Sequence, residues 1–437
     1  MIALVWNSRL TLAAITALAL SGCADMATEA SSDTPVNARA VVAHYADIAH
    51  SEYQDALISA RKLNQATDAL IANPSRKTMT EARQAWLAAR IPYQQTEVFR
   101  FGNTVVDDWE GQVNAWPLDE GLIDYVASDG YQHELGNGGA TANIIANTRI
   151  NVGGTRLDVS RLTPELLANL NEIGGSEANV ATGYHAIEFL LWGQDLNGFA
   201  AGNGNRPASD YLQTSQCTHG NCDRRAAYLD AVTDLLVADL AWMVDQWAPG
   251  QTDNYRAELT ALAPSEAVQK ILFGMGSLSL GEMAGDRMKV ALEANSPEDE
   301  HDCFSDNTHN SHFYDGQGIV NVYTGTYIRL DGSRVTGPAV SGLLRQTDPA
   351  LANLLRKQLT HTMATLTNMK QRAETGDHPM TFDMMIAPGN QEGARVIRQV
   401  IESLVAQTEL IEKAATTLKT GAAEAQGTDK GSTRAPQ

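Results

Sequence analysis

The sequence predicts an all-α protein: two packed helical-bundle domains, with a small β-hairpin inserted in the second. Three observations predict it. Apolar residues recur at helical spacing over 38–72, 78–101, 224–247, 264–294, 348–373 and 392–418. The chain has 437 residues, 43% of them hydrophobic, which is ample material for two ordinary domains. Between the helical runs, the stretch 197–223 collects Gly, Asn, a Pro and the loop CTHGNC, all of which stop a helix and mark a divide.

Taken in order, Arg9 precedes an apolar run from Leu10 to Leu20, then Ser21, Gly22 and Cys23. The run falls short of the roughly 20 residues a membrane span needs and reads as a signal peptide over 1–22. Small residues directly before Cys23 resemble a lipoprotein box, in which Cys23 is lipidated. An ordinary signal peptide leaving a periplasmic protein is the alternative, and both readings export the chain to the bacterial cell envelope. Ala24 after the cysteine, by analogy with lipoprotein sorting, favours the outer membrane. Residues 23–36 are then a lipid-anchored tether.

An N-terminal bundle is expected over 37–200. Pro92 lies inside the helical pattern 78–101 and should kink or split that helix, because it removes a backbone donor. A linker follows at 201–223. In it, four residues separate Cys217 from Cys222, which suits a local disulfide, the alternative being a metal pair with His219. Cys303 is left as a buried small apolar side chain. A C-terminal bundle is expected over 224–420. Its first helix spaces Tyr228, Val232, Leu235, Leu236, Met243 and Trp247 on one face and acidic residues elsewhere. Residues 319–336 combine β-branched and aromatic residues with an Asp331–Gly332 turn and read as the hairpin. The tail 421–437 lacks apolar periodicity and reads as disordered.

Charge narrows function. With 32 Lys and Arg against 52 Asp and Glu, the formal charge of −20 repels a phosphate backbone, so nucleic acid is not the partner. Neither GxSxG nor GxxxxGK[ST] occurs, which removes the common nucleophile elbow and the phosphate loop.

The sharpest constellation is GYHAIEFLLWGQD at 183–195. Three residues apart on a helix, His185 and Glu188 share a face and can offer an imidazole nitrogen and a carboxylate to one point. Taken alone, a histidine packed near a bundle core explains the pair as well. Half a metal site is present, and further ligands must come from elsewhere in the fold. The zincin HExxH is absent, and Phe189 stands where HxxEH needs its second histidine.

The spacing Gly183-x-His185-x-x-Glu188 resembles the GxHxxE signature of the imelysin-like family. RIPYQQTEVFRFG at 90–102, NAWPLDEGLIDYV at 114–126, GMGSLSLGEMAGDRM at 274–288 and HDCFSDNTHNSHFYDGQGIVNVYTG at 301–325 resemble its iron-regulated protein A branch, so the similarity covers about 38–420. The resemblance implies two helical bundles with the motif near their junction, an envelope location and a role in iron acquisition. The peptidase label of the family is weaker, since the motif does not supply a complete zinc-protease ligand set.

Candidates to complete the site are Glu97, one turn beyond Tyr93 and close to Arg100, with an ion pair to Arg100 as the alternative; Asp286, beside Arg287 on a helix of small residues that equally suits tight packing; and Asp306. The segment 301–315 gathers His301, Asp302, Asp306, His309, His312 and Asp315 but reads as a solvated loop, with Asp306 retained because SDNTH belongs to the family-like stretch. His44, Asp47 and His50 read as a wet helical face or a surface cation site. One Glu-x-x-His pair, Glu298 and His301, is insufficient for a di-iron centre.

Three functions follow as expectations. The first is an envelope lipoprotein that binds a divalent metal, iron or zinc, for iron uptake alongside envelope iron-transport proteins. The second is a zinc metallopeptidase, which needs a general base and an open cleft that the sequence does not show. The third is a non-enzymatic protein-binding module in which the motif is an interdomain strut.

Overall fold

Helix α1 (Ala38–Ala72) begins where Asn37 accepts from the Arg39 and Ala40 backbone amides, and α2 (Arg76–Gln95) begins at a capping box between Ser75 and Thr78. The computed structural model describes residues 35–127 and 131–428. The signal peptide, Cys23 and most of the tether lie outside the described residues, as do 429–437. Further on come α3 (Thr104–Val113), α4 (Pro164–Leu170), α5 (Gly183–Trp192), α6 (Cys222–Trp247), α7 (Tyr255–Ala261) and α8 (Pro264–Ser277). A π-helical segment, Leu278–Lys289, continues α8 into α9 (Val290–Ala294). The rest are α10 (Thr308–Thr324), α11 (Val340–Thr347), α12 (Pro349–Glu374), α13 (Phe382–Ile386) and α14 (Gln391–Thr428). The all-α expectation holds.

Several expectations are corrected. The break expected at Pro92 is present but falls three residues on: the helix read over 78–101 stops at Gln95 and tightens into a 3₁₀ turn at Thr96–Phe99. Residues 421–428, read as disordered tail, are the last turns of α14. The expected hairpin is present but shorter: 319–324 belong to α10, and only β3 (Thr326–Ile328) and β4 (Arg334–Thr336) pair. A second hairpin, β1 (Arg149–Val152) with β2 (Thr155–Asp158), turns at Gly153–Gly154, both at positive φ.

Helix α6, placed in the second bundle by the sequence, packs instead along α1 and α5. In the other group α14 packs against α8, the π-helical segment and α12, while α10 bridges from α12 to α2. The stretch 201–223 is no bare tether. Arg206, Asp210, Tyr211 and Cys222 are buried within it, and Cys217 and Cys222 form the expected disulfide. His219 bonds Asp210 rather than a metal. Cys303 is half-buried, not sealed in the core. On α1, His44 is buried against the Gly325 carbonyl, whereas Asp47, paired with Arg256, and His50, bonded to Gln54, stay partly exposed, so the wet-face reading fails for His44 alone.

Candidate metal centre

Helix α5 carries the motif, and its glycine explains itself: Gly183 has φ +77, and a Cβ there would overlap the Val113 carbonyl. The helix N-terminus is thereby pressed onto the end of α3, which drives His185 and Glu188 inward. Both are essentially inaccessible, at 2% and 0% exposure. His185 Nδ1 and Glu188 Oε2 are hydrogen-bonded at 3.0 Å. The other carboxyl oxygen, Oε1, accepts from the Ser305 amide at 2.9 Å and the Ser305 hydroxyl at 2.6 Å. Glu188 therefore orients the imidazole and is not itself a free ligand.

What meets His185 is the segment before α10. His301 packs edge-on against it, ring centroids 4.8 Å apart, and Asp302 Oδ1 lies 4.0 Å from His185 Nδ1. One donor atom from each of His185, His301 and Asp302 falls within 4.8 Å of the others. Two imidazoles and a carboxylate suit ferrous iron, zinc or manganese. His185 Nε2 is buried and has no hydrogen-bond partner. An unsatisfied buried nitrogen costs about 1–3 kcal/mol, so its presence on an imidazole grouped with two other donor residues is the feature that fits a cation.

Asp302 is fully engaged. Its Oδ1 accepts from Arg90 Nη2 at 2.9 Å and lies 3.2 Å from His301 Nδ1. Its Oδ2 accepts from Asn307 at 2.9 Å and from the Ser311 hydroxyl. An arriving cation must share Oδ1 with Arg90 or displace it. The electrostatics keep the donors ready: burial, then Arg90, hold the His185 imidazole well below its usual value, and burial, then Arg287, do the same for His301. Burial pushes the Asp302 carboxyl up, but Arg90 and His301 prevail and hold it well below the carboxylate range. Burial and the Asp302 charge raise Glu188 well above its ordinary value.

The other sequence candidates fall elsewhere. Glu97 is buried but its Oε2 accepts from Arg287 at 2.6 Å; it reaches the centre only through Asn114, which in turn accepts from Arg90. Arg100 pairs with Asp107, Glu110 and Glu282 rather than with Glu97. Asp286 is exposed on the π-helical segment. Asp306 groups with Asp195 and Asp383, apart from the histidines. The solvated-loop reading of 301–315 is overturned, since His301, Asp302, Asp306, His309, His312 and Asp315 are all buried. His301, Asp302, Arg90 and Ser305 are the site residues that sequence reasoning missed, although the density of histidine and aspartate in 301–315 was itself the signal.

The imelysin family model matches residues 49–411. Iron-regulated protein A of Synechococcus elongatus is 25% identical over 324 residues, 74% of this chain and 73% of that protein. A solved structure assigned as an iron-regulated protein A precursor from Parabacteroides distasonis superposes with TM-score 0.62 at 17% identity, covering 89% of this chain and 97% of that one. An imelysin-like protein from Psychrobacter arcticum gives TM-score 0.56 at 16% identity, covering 86% and 95%.

Proposed function

The chain belongs to the imelysin family, and from that premise we propose that it is a metal-binding protein of the bacterial cell envelope serving iron uptake. His185, His301 and Asp302 hold a divalent cation, iron first. The observation that carries this reading is the buried, partnerless Nε2 on an imidazole, that of His185, grouped with two further donor residues. The name of the Synechococcus relative supports iron over zinc. The N-terminal pattern around Cys23 supports export and a lipid anchor, with envelope iron-transport proteins as partners. A cavity of about 220 Å³ lined by Arg90, Asn307, Ser311, Tyr314 and Lys370 touches three of the residues that hold Asp302.

Peptide hydrolysis is the weaker reading. A scissile bond must reach a metal-bound water, and the three donors are each 2% exposed or less, which suits holding an ion better than cutting a chain. The test is elemental analysis of the purified protein after dialysis, wild type against His185→Ala/His301→Ala. Wild type is expected to retain close to one metal per chain and the variant to lose it. Equal retention would leave the pair as a structural strut.

A further inference from the structure

A second group of donors lies outside the centre just described. Asp195 follows the end of α5, Asp306 sits in the turn before α10 at φ +57, and Asp383 is in α13. One carboxylate oxygen from each lies within 4.8 Å of the others. Three segments far apart in sequence therefore bring three like charges together. Among the described residues none of the three forms an ion pair, whereas Asp302 has Arg90. Asp383 is 1% exposed, and neither of its carboxylate oxygens has a hydrogen-bond partner; Asp306 Oδ1 has none either. Glu300 is buried with Oε1 partnerless and interacts electrostatically with Asp383 and Asp306. Buried carboxylates are normally paired, hydrogen-bonded or bound to a cation. Here no ion pair reaches any of the three, and hydrogen bonds reach Asp195, whose Oδ1 accepts from the Asn197 backbone and side-chain amides at 2.9 and 2.6 Å, while both Asp383 oxygens and Asp306 Oδ1 go without.

We propose that Asp195, Asp306 and Asp383 form a second cation site, separate from the histidine centre and selective for a hard, oxygen-seeking ion of the calcium class. Oxygen is the sole donor element in the group, which suits calcium and offers nothing soft for zinc or ferrous iron. Calcium takes six to eight oxygens in flexible geometry, and three carboxylates plus water satisfy that without the strict octahedron magnesium demands. Where no ion is bound, burial, then Asp383 and Asp195, push the Asp306 carboxyl up to about 8, as mutual repulsion requires. The ion would tie the end of α5, the turn leading into α10 and α13 to one another. Its function is to brace the segment that delivers His301 and Asp302.

Calorimetric titration of the purified protein with calcium chloride alone tests this, with melting temperature as a second readout. Wild type and His185→Ala/His301→Ala are both expected to bind one calcium and to melt higher in its presence. Asp306→Asn/Asp383→Asn should bind at least tenfold more weakly, yet melt no lower than wild type without calcium, because repulsion is removed. Asp195→Asn, at a half-buried position, carries the same comparison if the double variant does not fold. Absence of saturable calcium binding in wild type, unchanged affinity in the aspartate variants, or loss of calcium with the histidines would each overturn the proposal.

Discussion

Two buried charge clusters flank α5, and they differ in one respect. Beneath the Cys217–Cys222 loop, Asp124 accepts from Arg206 at 2.7 Å and from Arg225 at 2.6 and 3.0 Å, while Asp210 accepts from Arg206, Tyr125 and Thr218. Two guanidiniums meet two carboxylates, and Arg206 stacks over Tyr125 and Phe189. Around His185, one guanidinium meets one carboxylate, two imidazoles are neutral, and one nitrogen lone pair has no partner. Burial of charge is common to both. The difference is the kind of atom left over: the partnerless Nε and Nη2 of Arg206 are N–H groups of a cation and repel a metal, whereas the partnerless Nε2 of the neutral His185 ring can offer a lone pair, and that separates a strut from a binding site.

The largest expected effect falls on the closed cluster. Asp124→Ala leaves Arg206 and Arg225 without their shared carboxylate and should cost about 3–5 kcal/mol in urea unfolding, with metal content per folded chain unchanged. Loss of metal with stability intact would reverse the assignment of roles. Arg90→Gln comes next: without metal it strands Asp302 at a similar cost of about 3–5 kcal/mol, but a bound cation replaces the missing charge. Ferrous or zinc ion should therefore raise the melting temperature of this variant more than that of wild type. Equal rises would mean that Arg90 and the cation do not compete at Asp302.

Glu188→Gln is smaller. The carboxylate that orients a metal-bound histidine typically governs affinity by about 10–100-fold, and removing it should weaken metal binding by that factor while unfolding changes little. Affinity equal to wild type in a competition titration would show that the Ser305 contacts, not the His185 bond, are why Glu188 is there.

How far the sequence led can be read from particular residues. Helical period located the longest helices but not the 17-residue α10, whose start reads as a wet loop and whose end reads as strand, and one turn of spacing placed His185 and Glu188 together. The partners were illegible because they arrive through folding at long range: 301–309 looks wet by composition and is dry in the fold, where Asp302 alone engages Arg90, His301, Asn307 and Ser311. Asp286 failed for a geometric reason. Residues 278–289 are π-helical, so a 3.6-residue period assigns their faces wrongly, and Arg287 turns inward where Asp286 was expected. Glu97 failed because a nearer guanidinium, Arg287, takes its carboxylate. The Gly153–Gly154 hairpin was legible and passed over.

His312 sharpens the comparison at its weakest point, since both of its ring nitrogens are buried without partners, yet it is not among the clustered donors. If a free nitrogen alone made a site, His312→Leu would lower metal content; the geometry requires that it does not. Its contribution shows in acid instead. Burial, then Arg287, lower the His312 imidazole to about 3 from an ordinary value of 6.5. Below pH 6.5 the unfolded chain takes up a proton that the folded chain refuses, so the residue destabilises the fold as pH falls toward 3, by up to about 1.4 kcal/mol per unit. Leucine fills the space without titrating. Urea unfolding at pH 7, 6, 5 and 4 should show the variant gaining on wild type at each step down, and parallel curves would mean that water or a neighbouring group already satisfies the ring.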